Sequence, residues 1–338
     1  MLRLLHGTHF DFIKYWKHAV VLTVGFILLG MGFLAKHRAD YGSAINWNIE
    51  FTGGTFVQLK FAEPQDASAV RAAVDAAGYA AEVAQFGDKT EYSVRAAAAG
   101  RTATLASADS TAAKIESALR AKYGDTTHVR VVRSEFVGPR VGAELQRNAV
   151  VAILISFLVT LIYLAIRFEW RFGLAAIIAT AHDLVATLAF IAMLRLEVSL
   201  TVVAAILTVI GYSLNDTIII FDRVRENLKK QRKESLRDVL NRSINETLPR
   251  SILTHATTLA ATLSLLVFAG EIIRPFAWVM AFGIFTGTFS SIYVAGAILI
   301  WIEKKWPRAS STDIRPTSSQ SKSGRPPARP SPAGAGTR

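Results

Sequence analysis

The run VVAAILTVIGYSLNDTIIIFDRVREN, residues 202–227, decides the fold. From Val198 to Phe221 the chain is apolar over the length a helix needs to cross a bilayer. Asp216 nevertheless stands inside that stretch. An Asp at bilayer depth costs roughly 3 kcal/mol on insertion scales, so it needs a protein partner, water or a proton. Chains that keep such a residue usually pass ions or protons through it. Asp216 is therefore the place to look for function.

Working outward, six spans can be read: about His18–Ala35, Ala149–Ile166, Phe172–Leu194, Val198–Phe221, Ile252–Phe268 and Phe276–Trp301. The first is too long for the apolar part of a cleavable signal peptide, and MGFLAKHRAD lacks a small-residue cleavage site, so it reads as a retained anchor. The 338 residues include no cysteine, which removes disulfides and thiolate metal sites. The histidines have no metal-ligand spacing, so no metal site, cofactor or enzymatic chemistry is expected.

Charge in the short loops sets the orientation. Residues 222–250 carry nine Lys/Arg, Arg167 and Arg171 flank the loop after the second span, and Lys304, Lys305 and Arg308 follow the last. The alternate loops are nearly neutral, Arg195 with Glu197 and Glu271 with Arg274. Both termini and the basic loop 222–250 are thus expected on the cytoplasmic side, the basic residues meeting anionic lipid headgroups and not nucleic acid. Residues 36–148 form a domain on the opposite side, with 14 basic against 13 acidic residues.

Within that domain, Asn48–Phe61 reads as a strand pair or one bent strand around Gly53 and Gly54. Asp66 opens a helix that Gly78 stops. Glu82–Phe86 and Tyr92–Ala96 read as strands joined at Gly87-Asp88, Ser110–Lys122 as a helix, and Val129–Phe136 as the last strand. The order β-α-β-β-α-β is the ferredoxin-like pattern. His128 reads as a surface residue and not a catalyst. The Gly53-Gly54 pair lacks the Lys and spacing of a phosphate loop, and a positive-φ turn or close chain approach is the better reading.

Three further features surround Asp216. Asp183 falls about 11 residues into the third span, roughly 16 Å at helical rise and near the midplane. Arg250 opens the fifth span at a depth similar to Asp216, so the two are expected to pair across adjacent helices. Thr254, Thr257 and Thr258 continue from Arg250 as a polar stripe, and Ser213 and Asn215 flank the Asp. Desolvation favours the neutral form of a carboxylate and a guanidinium favours the charged form, so this pair is suited to load and release a proton. A static ion pair is the simpler alternative. An intramembrane aspartyl protease is disfavoured, because the contexts HD and LND lack that family's G-x-G-D pattern. Gly283 and Gly287 form a G-x-x-x-G, read as close helix packing.

Several of these strings together resemble one family. VIGYSLNDTIIIFDRVREN (209–227), FTGG (51–54), FVGPRVGAEL (136–145), AHDLVATLAF (181–190) and SSIYVAG (290–296) are similar to the SecF family, accessory membrane subunits of the bacterial Sec translocase within the resistance-nodulation-division superfamily. The resemblance runs from about Thr8 to Trp306, and the Pro/Ser-rich tail 307–338 lies outside it with a disordered composition. It implies a polytopic inner-membrane protein of six transmembrane helices with an inserted ferredoxin-like periplasmic domain. It also implies pairing with SecD and use of the proton-motive force to complete preprotein export through SecYEG after SecA, with YajC and YidC as further neighbours. By position Asp216 matches the family's essential fourth-span Asp and Arg250 its fifth-span Arg. Asp183, Asn215, Thr254 and Thr258 would then shape a water path. The FTGG glycines Gly53 and Gly54, with Gly138 and Pro139 of the VGP segment, would couple helix movement to the periplasmic domain. A passive scaffold and half of a proton-driven solute or lipid transporter are the alternatives.

Overall fold

The computed structural model describes residues 9–78, 81–96, 105–124, 129–230, 234–270 and 272–307. Five helices and one composite helix dominate it. Helix α1 (Trp16–Tyr41) follows a 3-10 turn, Phe12–Tyr15, whose Asp11 carboxylate accepts from the Lys14 amide at 3.0 Å. Gly42, at φ 74°, ends α1 in the left-handed conformation that favours glycine. After the small domain come α5 (Pro139–Arg167), α6 (Trp170–Met193), α7 (Leu200–Lys230) and α8 (Leu236–Phe268). The last unit joins α9 (Arg274–Phe289) to α10 (Ala295–Lys305) through a π-helical turn, Ser290–Val294. Six such helices are long and apolar enough to cross a membrane.

The small domain begins with a helical turn α2 (Ile49–Thr52), then β1 (Gly54–Phe61), α3 (Ala67–Ala76), β2 (Ala81–Gln85), β3 (Glu91–Ala96), α4 (Leu105–Tyr123) and β4 (Val129–Val137). The sheet order β2-β3-β1-β4, antiparallel throughout, is the ferredoxin-like topology expected from the element order. A register irregularity at Gln58/Leu59 bends β1 against β4. Val57, Leu59 and Phe61 of β1 are buried with Val70 and Val74 of α3 and Ile115 and Leu119 of α4, so both helices cover one sheet face.

Two expectations are corrected. Residues 48–52 are not strand. Asn48 caps a helical turn by accepting from the Glu50 amide at 2.9 Å, and Gly53 at φ 71° terminates it, so extended pairing starts only at Gly54. Nor is 222–250 mainly loop, because α7 continues to Lys230 and α8 starts at Leu236. Polar residues read as loop are held in helices by Lys230–Glu226 (2.7 Å), Arg223–Glu246 (2.5 Å) and Arg242–Glu234 (2.7 Å), while Val224, Val239, Leu240, Ile244 and Leu248 face inward. Likewise α1 and α5 overrun the spans read for them at both ends. His128, Arg232, Lys233, Glu271, Arg308 and the tail beyond it lie outside the described residues.

The helices are unevenly buried. The most apolar windows of α7 and of α9–α10 are 56% and 67% buried, those of α5 and α8 only 11% and 17%. The chain thus packs around α7 and leaves apolar faces of α5 and α8 for lipid or another subunit.

Candidate functional site

The G-x-x-x-G of α9 fixes the centre of the bundle. An added Cβ at Gly283 would strike Val209, and one at Gly287 would stand 3.0 Å from the Ser213 Cβ and 3.1 Å from its hydroxyl. Glycine at both positions therefore lets α9 lie directly on α7. Ser213, pinned by that contact, donates to the Oδ2 of Asp183 on α6. The other Asp183 oxygen meets His182 Nδ1 at 2.9 Å. Asp183, 2% exposed, is closed in on both oxygens.

One turn further along α7, Asp216 is 1% exposed and faces α8. Its Oδ2 lies 3.5 Å from His255 Nδ1 and has no hydrogen bond of normal geometry among the described residues. Ser251, also buried, lies beside it. Thr217 joins Ser291 hydroxyl to hydroxyl at 2.9 Å, tying α7 to the π-helical turn. The SSIYVAG string contains this turn and the first two residues of α10, and π-turns inside helices recur at functional sites.

The structure brings Asp183, Ser213 and Asp216 to one stretch of α7, but it does not bring Arg250 to Asp216. The contacts Tyr212–Thr258, Asp216–His255 and Asn227–Ser243 fix the antiparallel register of α7 and α8. That register sets Arg250 about one turn nearer the α7–α8 connection. There it is exposed, in an open groove with Ile219, Asp222, Arg223, Glu226, Glu246 and Thr247. The depth estimate failed because it took Arg250 as the helix start, whereas α8 begins fourteen residues earlier at Leu236. Asn215 is exposed, on the α7 face that points out of the chain, since adjacent helix positions diverge by about 100°. Thr254 and Thr258 are half-buried, and their hydroxyls donate to the carbonyls of Arg250 and Thr254, both at 2.9 Å. Thr258 also accepts from Tyr212 at 3.0 Å. The stripe exists, but its donors are used locally.

His182 enters the sequence reading only as the neighbour of Asp183, and His255 carries no metal-ligand spacing that would mark it. Their position inside apolar spans was the available signal.

At the other end, the FTGG and VGP segments meet. A Cβ on Gly53 would lie 2.7 Å from Pro139 Cα, and one on Gly142 would lie 2.9 Å from both the Gly53 nitrogen and the Phe51 carbonyl. Gly54 pairs with Val137, and Gly138 caps α5 with Pro139 as its first residue. The small domain is also held to the α6–α7 loop. The Asn48 amide donates to the Val198 carbonyl at 2.9 Å, the Leu200 amide to Glu50 at 2.7 Å, and Glu197 binds Arg95 and Asn48. The sheet is thus joined to the start of α5 by close backbone approach and to the start of α7 by hydrogen bonds and an ion pair.

Comparison with known proteins agrees on one family. The profile of the protein export membrane protein SecD/SecF, C-terminal, matches residues 115–305. The chain is 57% identical over 311 residues to the protein translocase subunit SecF of Gemmatimonas aurantiaca, covering 91% of each. It is 42% identical over 257 residues to that of Vibrio alginolyticus, covering 76% of this chain and 80% of the other. It superposes on the crystal structure of SecDF, a translocon-associated membrane protein from Thermus thermophilus, with a TM-score of 0.78 and 34% identity over 90% of its length. It spans 40% of that longer chain. On the super-membrane-facing form of SecDF the TM-score is 0.62. With the profile covering more than half of the chain and SecF subunits aligned along nearly all of it, this protein belongs to the SecD/SecF family of protein export membrane proteins.

Proposed function

We propose that this chain works with SecD to couple the proton-motive force to late stages of preprotein export through SecYEG, after the ATP-dependent action of SecA. The observation that carries the reading is Asp216, buried between α7 and α8 beside Ser251 and His255 with a carboxylate oxygen that makes no normal hydrogen bond among the described residues. Such an oxygen is open to a proton, and gaining or losing one changes the attraction between the two helices. One charge moved through 100 mV is worth about 2.3 kcal/mol, enough to bias a two-state helix pair. Arg250, a turn away, is the fixed cation toward which a charged Asp216 is drawn when α7 and α8 slide. Asp183 anchors the opposite side of α7, and the Gly53/Pro139 contact carries the shift to the small domain.

A partner is supported by α7 itself. Thr201, Ala204, Thr208, Gly211 and Asn215 are exposed at helical spacing, a stripe of small and polar residues on which a SecD helix can lie closely. Arg167, bonded to Asp222 at 2.5 Å, Arg171 with Glu303 and the α7–α8 connection gather at the bundle end away from the sheet. That end is assigned to the cytoplasm with both termini, the sheet to the periplasm, and the bundle to the inner membrane. YajC and YidC are neighbours by family resemblance alone.

Replacing Asp216 by Asn keeps shape and removes the titration. In vesicles carrying the chain with SecD, SecYEG and SecA, D216N is expected to reduce export to the rate driven by ATP alone, with the complex at parental abundance. A passive scaffold would keep its full response to the gradient. Recovery of a solute-transporter half in place of SecD on purification would favour the half-transporter.

A further inference from the structure

His255 stands at the level of Asp216 and has no part in the coupling just described. Its Nδ1 is 2.6 Å from the Ser251 carbonyl, which can only accept, so Nδ1 carries a proton. The same N–H edge lies 3.5 Å from Asp216 Oδ2. Nε2, across the ring, is buried and has no hydrogen-bond partner among the described residues. The Tyr212 ring meets the imidazole edge-on at 5.2 Å, and its hydroxyl is tied to Thr258, so the imidazole is held in place. The groups around it are Asp216 and Tyr212 from α7 and Ser251 from its own helix. Arg250 lies exposed beyond them, and Asp183 with His182 lies across α7 behind Ser213.

The geometry points to His255 as the proton-accepting partner of Asp216. This rests on the reading of Asp216 as the coupling site and changes what happens there. A proton arriving at the site forms a bond to Nε2, while Nδ1 keeps its hydrogen on the Ser251 carbonyl and Asp216 stays a carboxylate. The pair passes from a net charge of −1 to zero, and an imidazolium then faces the carboxylate across the α7–α8 contact. Loss of the Nε2 proton reverses the step. A guanidinium in this position would stay charged throughout. An imidazole can gain and lose its second proton, so His255 is the member of the pair that responds to the gradient.

The test uses the full chain with SecD, SecYEG and SecA in vesicles, comparing H255Q, H255R and D216N. Gln cannot take up a proton and Arg cannot release one. Both are expected to lower gradient-driven export roughly five-fold or more and to flatten its pH profile, with SecD still copurifying. A role in packing alone would leave the profile unchanged in H255Q. If D216N keeps the gradient response, the underlying reading fails. If D216N loses it while H255Q keeps both rate and profile, only the inference fails. Should the variants assemble poorly, infrared difference spectra of the unsubstituted complex with labelled histidine decide instead. An imidazole that protonates when a gradient is imposed supports the proposal, and one that does not respond overturns it.

Discussion

Asp183 and Asp216 are both buried carboxylates on helices of membrane length, yet their surroundings are opposite. Asp183 has Ser213 on one oxygen and His182 on the other, in a region locked by glycine contacts between α7 and α9. Asp216 faces the loosely covered α8 with an oxygen that makes no normal hydrogen bond among the described residues. A fully bonded polar group adds order to a helix bundle, while an unfinished one retains the freedom to change state. Under the proposed function, the difference gives the structural task to Asp183 and the working one to Asp216.

The sharpest way to break this comparison is to open the locked side. Gly283→Leu forces a side chain into Val209 and is expected to cost about 3 kcal/mol, read as a fall in the thermal unfolding midpoint of the detergent-solubilised complex. Next, Asp183→Ala strands the Ser213 hydroxyl and His182, and a loss of about 2 kcal/mol is expected in the same measurement. Asp216→Asn should shift stability by less than about 1 kcal/mol, because it removes a buried charge without stranding a bonded partner. Equal losses for the two Asp variants would erase the distinction.

The smallest effect lies outside the bundle. The Lys60 ammonium, 2.8 Å from Glu91, holds that carboxyl below its ordinary value of 4.5. A lowered folded-state value means that the pair stabilises the sheet above the unfolded-state value and ceases to as pH falls through the folded one. Lys60→Gln should therefore lower protection of β1 and β3 amides by less than about 1 kcal/mol near neutrality. The difference from the parent should vanish in acid, as hydrogen exchange at several pH values will show.

Much of the fold was legible because it is written in long-range patterns. Apolar length marked the six membrane helices, and alternation with turn residues marked the ferredoxin-like order. The failures were local. Asn48 through Thr52 alternates like a strand, but the Asn48 cap and the positive φ of Gly53 make it a helical turn. The basic stretch after Phe221 looked like loop because ion pairs between helices are invisible in one dimension. Of the site, FTGG and VGP stood out as motifs without showing that Gly53 and Pro139 touch, and the placement of Asp183 and Asp216 at bilayer depth was legible from their apolar spans. The Asp216–Arg250 pairing was not, since it depended on where α8 begins. Asn215 was misplaced because adjacency in sequence is divergence on a helix.

The account depends most on proton movement through Asp216, and proton flux across sealed vesicles during export measures it directly. With the unsubstituted chain and SecD, inward flux should rise with each preprotein translocated, and with Asp216→Asn that coupled flux should disappear while ATP-driven export continues. Coupled flux of unchanged size in Asp216→Asn would contradict the account.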